Sequence, residues 1–419
     1  MDKKLKRILK LVVLICILVL IIDIGILIYR KYIKEEEIDY FDSVNSFEIL
    51  DDEIIAVGSN SNNDNGYEKA KITLYDSNYE KVWETLYNKK YNSSFFAVKK
   101  DDDNYVAVGN YEATKNEHKE QVRSALITIF SKDGELKAEK RFQVLGNSKF
   151  TNLLVVDDGY IVIGQSIYEN MTLGVSDQGG AFIIKYDKEL NEVWKHNYGG
   201  SKSGLYNDLV IVNNSIYVSG KDSSRLGVVS KYDLDGSYIS TTTYELTDTL
   251  GFTGIATYDN KLFVVGSKKT SEDQNDYDTD ALIVEYDFDL NKLDEKTYTG
   301  KGMERYNTII VDSNSNLVIA GQTGIYNKKR STSQLNVFSY DGIIAKYNTN
   351  LDELLVKEYG DENDDYFTDI KQTENEYIIS GYSSFGNSYI SKFITYTKSG
   401  KLKGWNNEDS TSQTWRNSI

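Results

Sequence analysis

Cysteine and histidine are scarce in this chain, and proline is absent. The 419 residues include one cysteine, Cys16, two histidines, His118 and His196, and no proline. A single cysteine excludes an intramolecular disulfide and a thiolate metal cluster, so zinc-finger and thiol-catalysis functions are not expected. Two histidines leave little material for the metal-hydrolase sites and Ser/His triads that draw on this residue.

Basic residues are in the minority and are concentrated at the N-terminus. Lys and Arg total 48 against 64 Asp and Glu, for a formal net charge of −16. The first 34 residues carry eight basic and two acidic side chains, so the remaining chain has 40 basic and 62 acidic residues and a net charge of −22. A body this acidic repels phosphate backbones, and we expect no nucleic-acid partner. With 40% apolar residues, the chain can bury a core in one large domain or two ordinary ones.

One apolar run near the N-terminus is long enough to cross a bilayer. Residues 8–29 read ILKLVVLICILVLIIDIGILIY, interrupted only by Lys10 and Asp23, and a spanning helix needs about 20 residues. No small-residue cleavage site follows, which favours an uncleaved signal anchor over a cleaved signal peptide. Ile15 before Cys16 argues against a lipoprotein signal. We interpret Asp23 as a lone acid near the outer end of the span, with a helix-pairing or ion-path role as the alternative.

The charges flanking this run predict its orientation. The basic cluster before the run outweighs the three basic residues after it, which three glutamates follow directly. The positive-inside rule therefore places the N-terminus in the cytoplasm and the body outside the cell membrane. We expect a single-pass protein with a cytoplasmic tail at 1–8, a transmembrane signal anchor at 9–29 and a juxtamembrane linker at 30–43. The membrane is thus the first predicted partner.

A short apolar run ending in glycine recurs seven times beyond the linker, at intervals of 46 to 60 residues. The runs close at Gly58, Gly109, Gly164, Gly220, Gly266, Gly321 and Gly381. Roughly 14 residues before each glycine an aromatic or apolar residue opens an earlier strand. After each glycine come a polar stretch of variable length, a third apolar run such as FIIKYDKEL, and a weaker fourth run such as EVWKHNY. Each unit therefore contains four short strands separated by Asp, Asn and Gly turns.

Four strands repeated at this period are typical of a β-propeller blade. The sequence predicts an all-β fold, a seven-bladed β-propeller of four-stranded antiparallel blades over residues 44–406, preceded by one transmembrane helix and followed by a tail at 407–419. The segment 401–406, KLKGWN, is the predicted fourth strand of blade seven. The alternative is that residues 37–42 pair with the outer part of that blade instead.

The third repeat carries a recognisable motif. It contains Ala181-Phe182-Ile183-Ile184-Lys185-Tyr186-Asp187, then Trp194 and Tyr198-Gly199-Gly200, and Trp83 occupies the tryptophan position in the first repeat. This pattern resembles the bacterial cell-surface β-propeller repeats typified by the SBBP family. The resemblance covers about residues 44 to 406 and implies an extracytoplasmic repeat scaffold, without implying a shared activity.

Acidic runs are frequent, and we interpret them as turn residues. Asp276-Tyr277-Asp278-Thr279-Asp280 has the alternating carboxylates that open a calcium loop, but Ala281 and Asp287 stand where an EF-hand needs glycine and glutamate. The other acidic runs fall where hairpins or blade connections must turn. We therefore expect no metal site and no cofactor, and we assign no catalytic residue.

Two features of a propeller predict where a ligand would bind. The loops between blades and those between second and third strands share one face, where the stretches 110–124, 165–180, 267–280 and 322–341 are long. Variable polar loops on a rigid scaffold are common binding sites. Polar residues just inside the first strands are also expected to point toward the axis, and the candidate ligand-binding residues are Asn152, Asn207, Asp208, Thr253, Asn307, Thr368 and Asp369. The alternative for each is a water-filled channel that binds nothing.

The expected function is binding or scaffolding. The sequence predicts a membrane-anchored, extracytoplasmic propeller that binds a protein or glycan on its long-loop face. The alternative is a propeller hydrolase or lyase that uses carboxylates on the central face, since carboxylate pairs are the usual catalysts of glycosidic bond cleavage. Two carboxylates converging with an arginine or a bound cation would favour the enzyme.

Overall fold

The computed structural model describes most of the chain from residue 41 to residue 407. The described ranges are 41–61, 67–87, 91–115, 121–142, 147–167, 180–197, 204–222, 224, 226–245, 251–269, 278–300, 302–326, 338–360, 363–385 and 388–407. The predicted signal anchor at 9–29 lies outside these ranges. Within them, no helix is long and apolar enough to cross a membrane.

The described chain forms 28 strands in seven consecutive groups of four. Blades one to three contain β1 (Phe41–Leu50), β2 (Glu53–Ser61), β3 (Lys69–Asp76), β4 (Lys81–Leu86), β5 (Ser93–Asp101), β6 (Asn104–Lys115), β7 (Gln121–Ser131), β8 (Leu136–Phe142), β9 (Asn147–Val156), β10 (Gly159–Ile167), β11 (Gly180–Tyr186) and β12 (Glu192–Asn197). Blades four and five contain β13 (Leu205–Val212), β14 (Ser215–Lys221), β15 (Gly227–Asp233), β16 (Tyr238–Tyr244), β17 (Gly254–Tyr258), β18 (Lys261–Lys269), β19 (Thr279–Asp287) and β20 (Lys292–Tyr298). Blades six and seven contain β21 (Arg305–Val311), β22 (Leu317–Tyr326), β23 (Phe338–Tyr347), β24 (Glu353–Tyr359), β25 (Asp364–Gln372), β26 (Glu376–Phe385), β27 (Ser388–Thr397) and β28 (Leu402–Asn407).

Each blade is an antiparallel meander in which successive strands pair. The first strands of neighbouring blades contact one another in a closed circle, from β1 through β25 and back to β1, so they surround the central channel. The predicted seven-bladed propeller of four-stranded antiparallel blades is therefore confirmed. Short hairpins join first to second and third to fourth strands on one face. The loops between blades and between second and third strands lie on the other, and we call it the long-loop face.

The core lies between adjacent blades rather than within one sheet. Val106 and Val108 of blade two share a buried cluster with Phe150 and Phe182 of blade three. A blade that is covered on both sides needs apolar residues on both faces of its middle strands, which explains the continuous apolar runs in the sequence. Fourth strands such as β8 are mostly exposed or half-buried, because they form the outer edge of the ring.

The recurring glycine ends the apolar run of each second strand opposite an irregularity in the first. Six of the seven first strands shift register there by one residue, as in β9 between Phe150 and Asn152. A Cβ on Gly164 would lie 2.0 Å from the carbonyl oxygen of Lys149. Non-bonded atoms do not approach so closely, so only glycine fits at this position without a steric clash.

The C-terminal strand closes the ring. β28 pairs with β27 from Tyr396↔Leu402 to Lys392↔Asn407, which confirms that blade seven is completed by the C-terminus. β1 contributes a single parallel bridge between Phe41 and Tyr389. The buried Asp42 accepts hydrogen bonds from Lys71 of its own blade and Ser391 of blade seven. Thus a carboxylate of the first strand joins blade one to blade seven.

Blades six and seven are joined on the hairpin face by Asp312, which is 4% exposed. Its carboxylate accepts hydrogen bonds from the Tyr377 hydroxyl at 2.5 Å and from the backbone N–H groups of Asn314 and Asn316, and it pairs with the Lys346 ammonium at 3.0 Å. Burial by itself would raise the pKa of Asp312, but these donors lower it to about 2. The ionised carboxylate therefore stabilises this junction.

We expect replacement of a recurring glycine to destabilise the propeller. Gly164→Ala forces the backbones of β9 and β10 apart and should reduce the free energy of unfolding by about 2–3 kcal/mol. Gly404→Ala is the control, because a Cβ there has no atom within 4 Å, and its change should stay within about 0.5 kcal/mol. Urea denaturation of both variants measures the difference, and equal stabilities would contradict the packing argument.

We expect the contribution of Asp312 to depend on pH. Because its folded-state pKa is lowered from 3.8 to about 2, the stabilisation is complete above pH 4 and is lost as the pH falls toward 2. Asp312→Asn should unfold with about 2 kcal/mol less free energy than the parent at pH 7 and with no difference near pH 2. Asp158→Asn removes a carboxylate that is 72% exposed and should cost less than about 1 kcal/mol. A deficit that is the same at both pH values would refute the assignment.

Candidate functional site in the central channel

Near the start of the first strand, six of the seven blades place an Asn or Thr side chain against the next blade. This side chain donates a hydrogen bond to a backbone carbonyl of the following blade, that of the residue just before the equivalent position. The pairs, with donor-to-acceptor distances, are Asn45 to Phe95 (2.7 Å), Thr151 to Tyr206 (2.6 Å), Asn207 to Phe252 (2.7 Å), Thr253 to Tyr306 (2.6 Å), Asn307 to Phe367 (2.8 Å) and Thr368 to Val44 (2.7 Å). We call this set the carbonyl ring. Blade two has Phe96 at the corresponding position.

Four of the seven predicted ligand-binding residues belong to the carbonyl ring. Asn207, Thr253, Asn307 and Thr368 use their side-chain donors to join blades. Sequence reasoning found these residues by their polarity near the first-strand start. It missed the equivalent residues Asn45 and Thr151, which the register relative to the recurring glycine could have identified.

The other three predicted residues are Asn152, Asp208 and Asp369. Each lies one residue after the carbonyl-ring residue of its blade. The Asn152 amide donates to Asp208 Oδ1 at 2.7 Å, so blades three and four are joined by side chains. Asp208 Oδ2 accepts from the backbone N–H of Ile255 in blade five at 2.9 Å. Desolvation raises the pKa of Asp208, which is consistent with its place in the narrow interior of the ring.

Asp369 joins blades seven and one. Its Oδ2 accepts from the Ser46 hydroxyl at 2.9 Å and from the Phe47 N–H at 3.3 Å, while both oxygens pair with Lys371 at 2.7 and 2.9 Å. The Ile370 N–H donates to Oδ1 at 2.8 Å. This carboxylate is therefore held by groups from two blades.

A second ion pair lies farther along the same strands. Lys99 of blade two donates to Glu48 of blade one at 2.6 Å. Burial would lower the pKa of Lys99, but Glu48, with smaller contributions from Asp369 and Asp208, raises it. The charges of the channel therefore form an interacting set.

The channel carboxylates do not form an open catalytic pair. Asp208 and Asp369 approach closely enough for their charges to interact, and the neighbouring cation is Lys371 rather than an arginine. Their oxygens already accept hydrogen bonds from backbone and side-chain donors of adjacent blades. A general acid or base needs a free oxygen at the substrate. This geometry fits a structural role better than glycoside cleavage.

A cluster of partly exposed tyrosines lies at the long-loop face of blades six and seven. We call Tyr340, Tyr366, Tyr382 and Tyr389 the tyrosine cluster. Their ring centroids are 5.3 Å apart for Tyr340 and Tyr366, 4.9 Å for Tyr366 and Tyr382, and 5.6 Å for Tyr382 and Tyr389. Burial raises the pKa of Tyr382 to about 12, so its hydroxyl stays protonated at neutral pH. The cluster offers aromatic surface together with hydroxyl groups.

Comparison with known proteins finds only distant structural similarity. No protein-family model and no curated protein matches it. Among solved structures it is similar to YjhT, at 13% identity over 73% of this chain and 95% of that chain, with a TM-score of 0.45. It is also similar to the β-propeller domain of the Trilobed protease from Pyrococcus furiosus, at 8% identity over 88% and 96% with a TM-score of 0.47. A GH43 endo-arabinanase from Bacillus licheniformis matches at 11% identity over 62% and 95% with a TM-score of 0.31.

The class of the protein follows from its own strand pairing. Seven four-stranded meanders closed by β28 define a seven-bladed β-propeller with a polar central channel. Because no family model matches, the predicted membership of the SBBP-like repeats stays a prediction.

The carbonyl ring makes a stability prediction. Thr253→Val keeps the shape of the side chain but removes the hydroxyl that donates to the Tyr306 carbonyl, which then lies unsatisfied between blades. We expect the free energy of unfolding to fall by about 1–2 kcal/mol. Thr243→Val, on the exposed part of β16, is the matched control and should change stability by less than about 0.5 kcal/mol. Equal effects in thermal or urea unfolding would show that the hydrogen bond is not required.

Proposed function

We propose that the chain is a single-pass membrane protein whose extracytoplasmic propeller binds a protein or glycan ligand with its long-loop face. The apolar run at 9–29 and its flanking charges support the anchor and the orientation. The resemblance of the third repeat to SBBP-like cell-surface repeats supports the same location. The function is then recognition at the cell envelope.

The tyrosine cluster is the observation that carries the binding function. Tyrosine combines a large apolar ring with a polar hydroxyl, and it is enriched at the centres of binding interfaces. All four tyrosines lie near the long-loop ends of β23, β25, β26 and β27 and are only half-buried. Asp364 and Arg305 lie close enough to Tyr340 to affect its pKa, so charged groups border the aromatic surface.

The hydrogen bonds of the channel side chains favour binding at the long-loop face over catalysis in the channel. The polar side chains of the carbonyl ring are committed to joining blades, and the channel carboxylates accept scaffold hydrogen bonds. The tyrosine rings pack mainly on one another and keep part of their surface accessible. A ligand at the long-loop face can therefore bind without disrupting the ring.

The linker limits the distance between the long-loop face and the membrane. β1 begins at Phe41 and antiparallel blades enter each first strand from the long-loop side. Of the predicted linker at 30–43, the 11 residues 30–40 precede β1, and they extend to at most about 36–40 Å. The proposed binding face therefore lies within reach of the membrane, and its partners are envelope components.

Binding to intact cells that produce the full chain tests the proposal. We expect a labelled glycan panel, or surface proteins captured by cross-linking, to yield a ligand whose signal disappears when external protease removes the propeller. Tyr382→Ala should weaken binding of that ligand at least tenfold, because it removes the central part of the tyrosine cluster. Tyr238→Ala, on the exposed fourth strand of blade four where the tyrosine is 54% exposed, is the control.

Two outcomes would contradict the proposal. Protection of the propeller from external protease would exclude the orientation. Equal binding by the parent chain, Tyr382→Ala and Tyr238→Ala would exclude the tyrosine cluster as the binding surface.

A further inference from the structure

The junction between blades two and three departs from the pattern of the ring. Where the other six blades have Asn or Thr, blade two has Phe96, which has no side-chain donor and is half-buried. The ammonium of Lys149 in blade three lies 5.4 Å from the centroid of the Phe96 ring. A cation over an aromatic ring thus replaces the usual side-chain hydrogen bond. A blade that departs from the residue pattern of the other blades is a candidate functional site.

Lys149 differs from Lys99 and Lys371 in its ion pairing with the carboxylates that the structure describes. Lys99 pairs with Glu48, and Lys371 pairs with Asp369. Among the residues that the structure describes, no carboxylate forms an ion pair with Lys149. This is unusual in a body where acidic residues outnumber basic ones by 62 to 40.

Two further cations lie near Lys149. Burial lowers the pKa of Lys149, and the positive charges of Lys221 in blade four and Arg123 in blade two lower it further. Arg123 pairs with Glu112 at 3.2 Å, so the attraction for an anion is assigned to the Lys149 ammonium alone. A partly desolvated ammonium that forms no ion pair with a described carboxylate favours contact with an anionic group.

The site lies at the long-loop mouth of the channel. Lys149 is the third residue of β9, and first strands begin on the long-loop face. Lys149 and Phe96 are both half-buried rather than covered. A ligand that enters from the long-loop face can therefore reach the ammonium and the uncovered part of the ring.

We propose that Phe96 and Lys149 form a subsite for an acidic sugar, a uronate residue of a glycan. The carboxylate of the sugar would pair with the Lys149 ammonium, and an apolar C–H face of the pyranose would pack on the uncovered part of the Phe96 ring. Either side chain alone could bind many ligands, but the two together match a sugar ring that carries a carboxylate. This inference rests on the proposed function and narrows its ligand from proteins and glycans to acidic glycans.

A matched pair of ligands tests the charge requirement. The full chain in nanodiscs of uncharged lipid is titrated with tetragalacturonate and with its methyl ester, which has the same sugar rings without the carboxylate charges. We expect the acid to bind at least tenfold more tightly than the ester and its affinity to fall as salt rises. Equal affinities for the two, or equally tight binding of a short polyglutamate, would overturn the proposal.

Two variants test the residues separately from folding. Lys149→Gln should weaken tetragalacturonate binding at least tenfold, whereas Lys137→Gln, an exposed lysine of β8, makes the same charge change and should leave affinity within twofold. Phe96→Asn restores the residue type found in three other blades, so thermal stability should be kept or increased while affinity falls at least threefold. Unchanged affinity in Lys149→Gln or in Phe96→Asn would refute the subsite.

The two proposals fail in different ways. If intact cells bind a neutral glycan or a protein through the tyrosine cluster and nanodiscs do not bind tetragalacturonate, only the acidic-sugar subsite is wrong. If neither assay detects a ligand, the proposed function fails as well.

Discussion

The hydrogen bond from the first-strand Asn or Thr to the carbonyl of the next blade is the contact on which the ring depends. The local register shift interrupts the strand pairing of six first strands, and a buried carbonyl without a donor is costly. The side chain of the preceding blade supplies that donor, at 2.6 to 2.8 Å in six blades. The same shift brings the first-strand backbone so close to the second strand that glycine is needed, as at Gly164. One backbone irregularity thus accounts for both the recurring glycine and the contact between blades.

This constraint determines which polar residues of the channel remain available for a ligand. Side chains that complete the scaffold, such as Asn207 and Thr253, cannot serve a ligand without exposing a buried carbonyl. Groups that the scaffold does not use are therefore more informative about function. Phe96 breaks the pattern, and within the described part of the chain the ion pairs that balance Lys99 and Lys371 have no counterpart at Lys149. The tyrosine cluster likewise lies beyond the carbonyl ring, at the strand ends.

The number of blades, the strand order and the closing strand could all be predicted from the sequence, because a period of 46 to 60 residues with one glycine per unit depends on local backbone chemistry. The direction of the channel side chains could not be predicted from the sequence. A one-residue register shift reverses which side chains face the axis and which face the next blade, and hydrophobic alternation does not reveal it. The tyrosine cluster was also missed, since Tyr340 of blade six and Tyr366 of blade seven meet only because the two blades pack side by side. The predicted anchor at 9–29 and the tips of the long loops lie outside the described residues.

Charge places a further condition on any ligand of the proposed subsite. The chain beyond residue 34 carries a net charge of −22, so a long polyanion meets repulsion over most of the surface even where Lys149 attracts it. At physiological ionic strength charges are screened beyond about 8 Å, so the local attraction acts only on an anionic group that enters the mouth of the channel. A short oligouronate with a carboxylate at that point gains the local attraction and meets less of the distant repulsion than a long polymer does. The acidic body therefore disfavours long polyanions, and the proposed subsite favours a short acidic glycan.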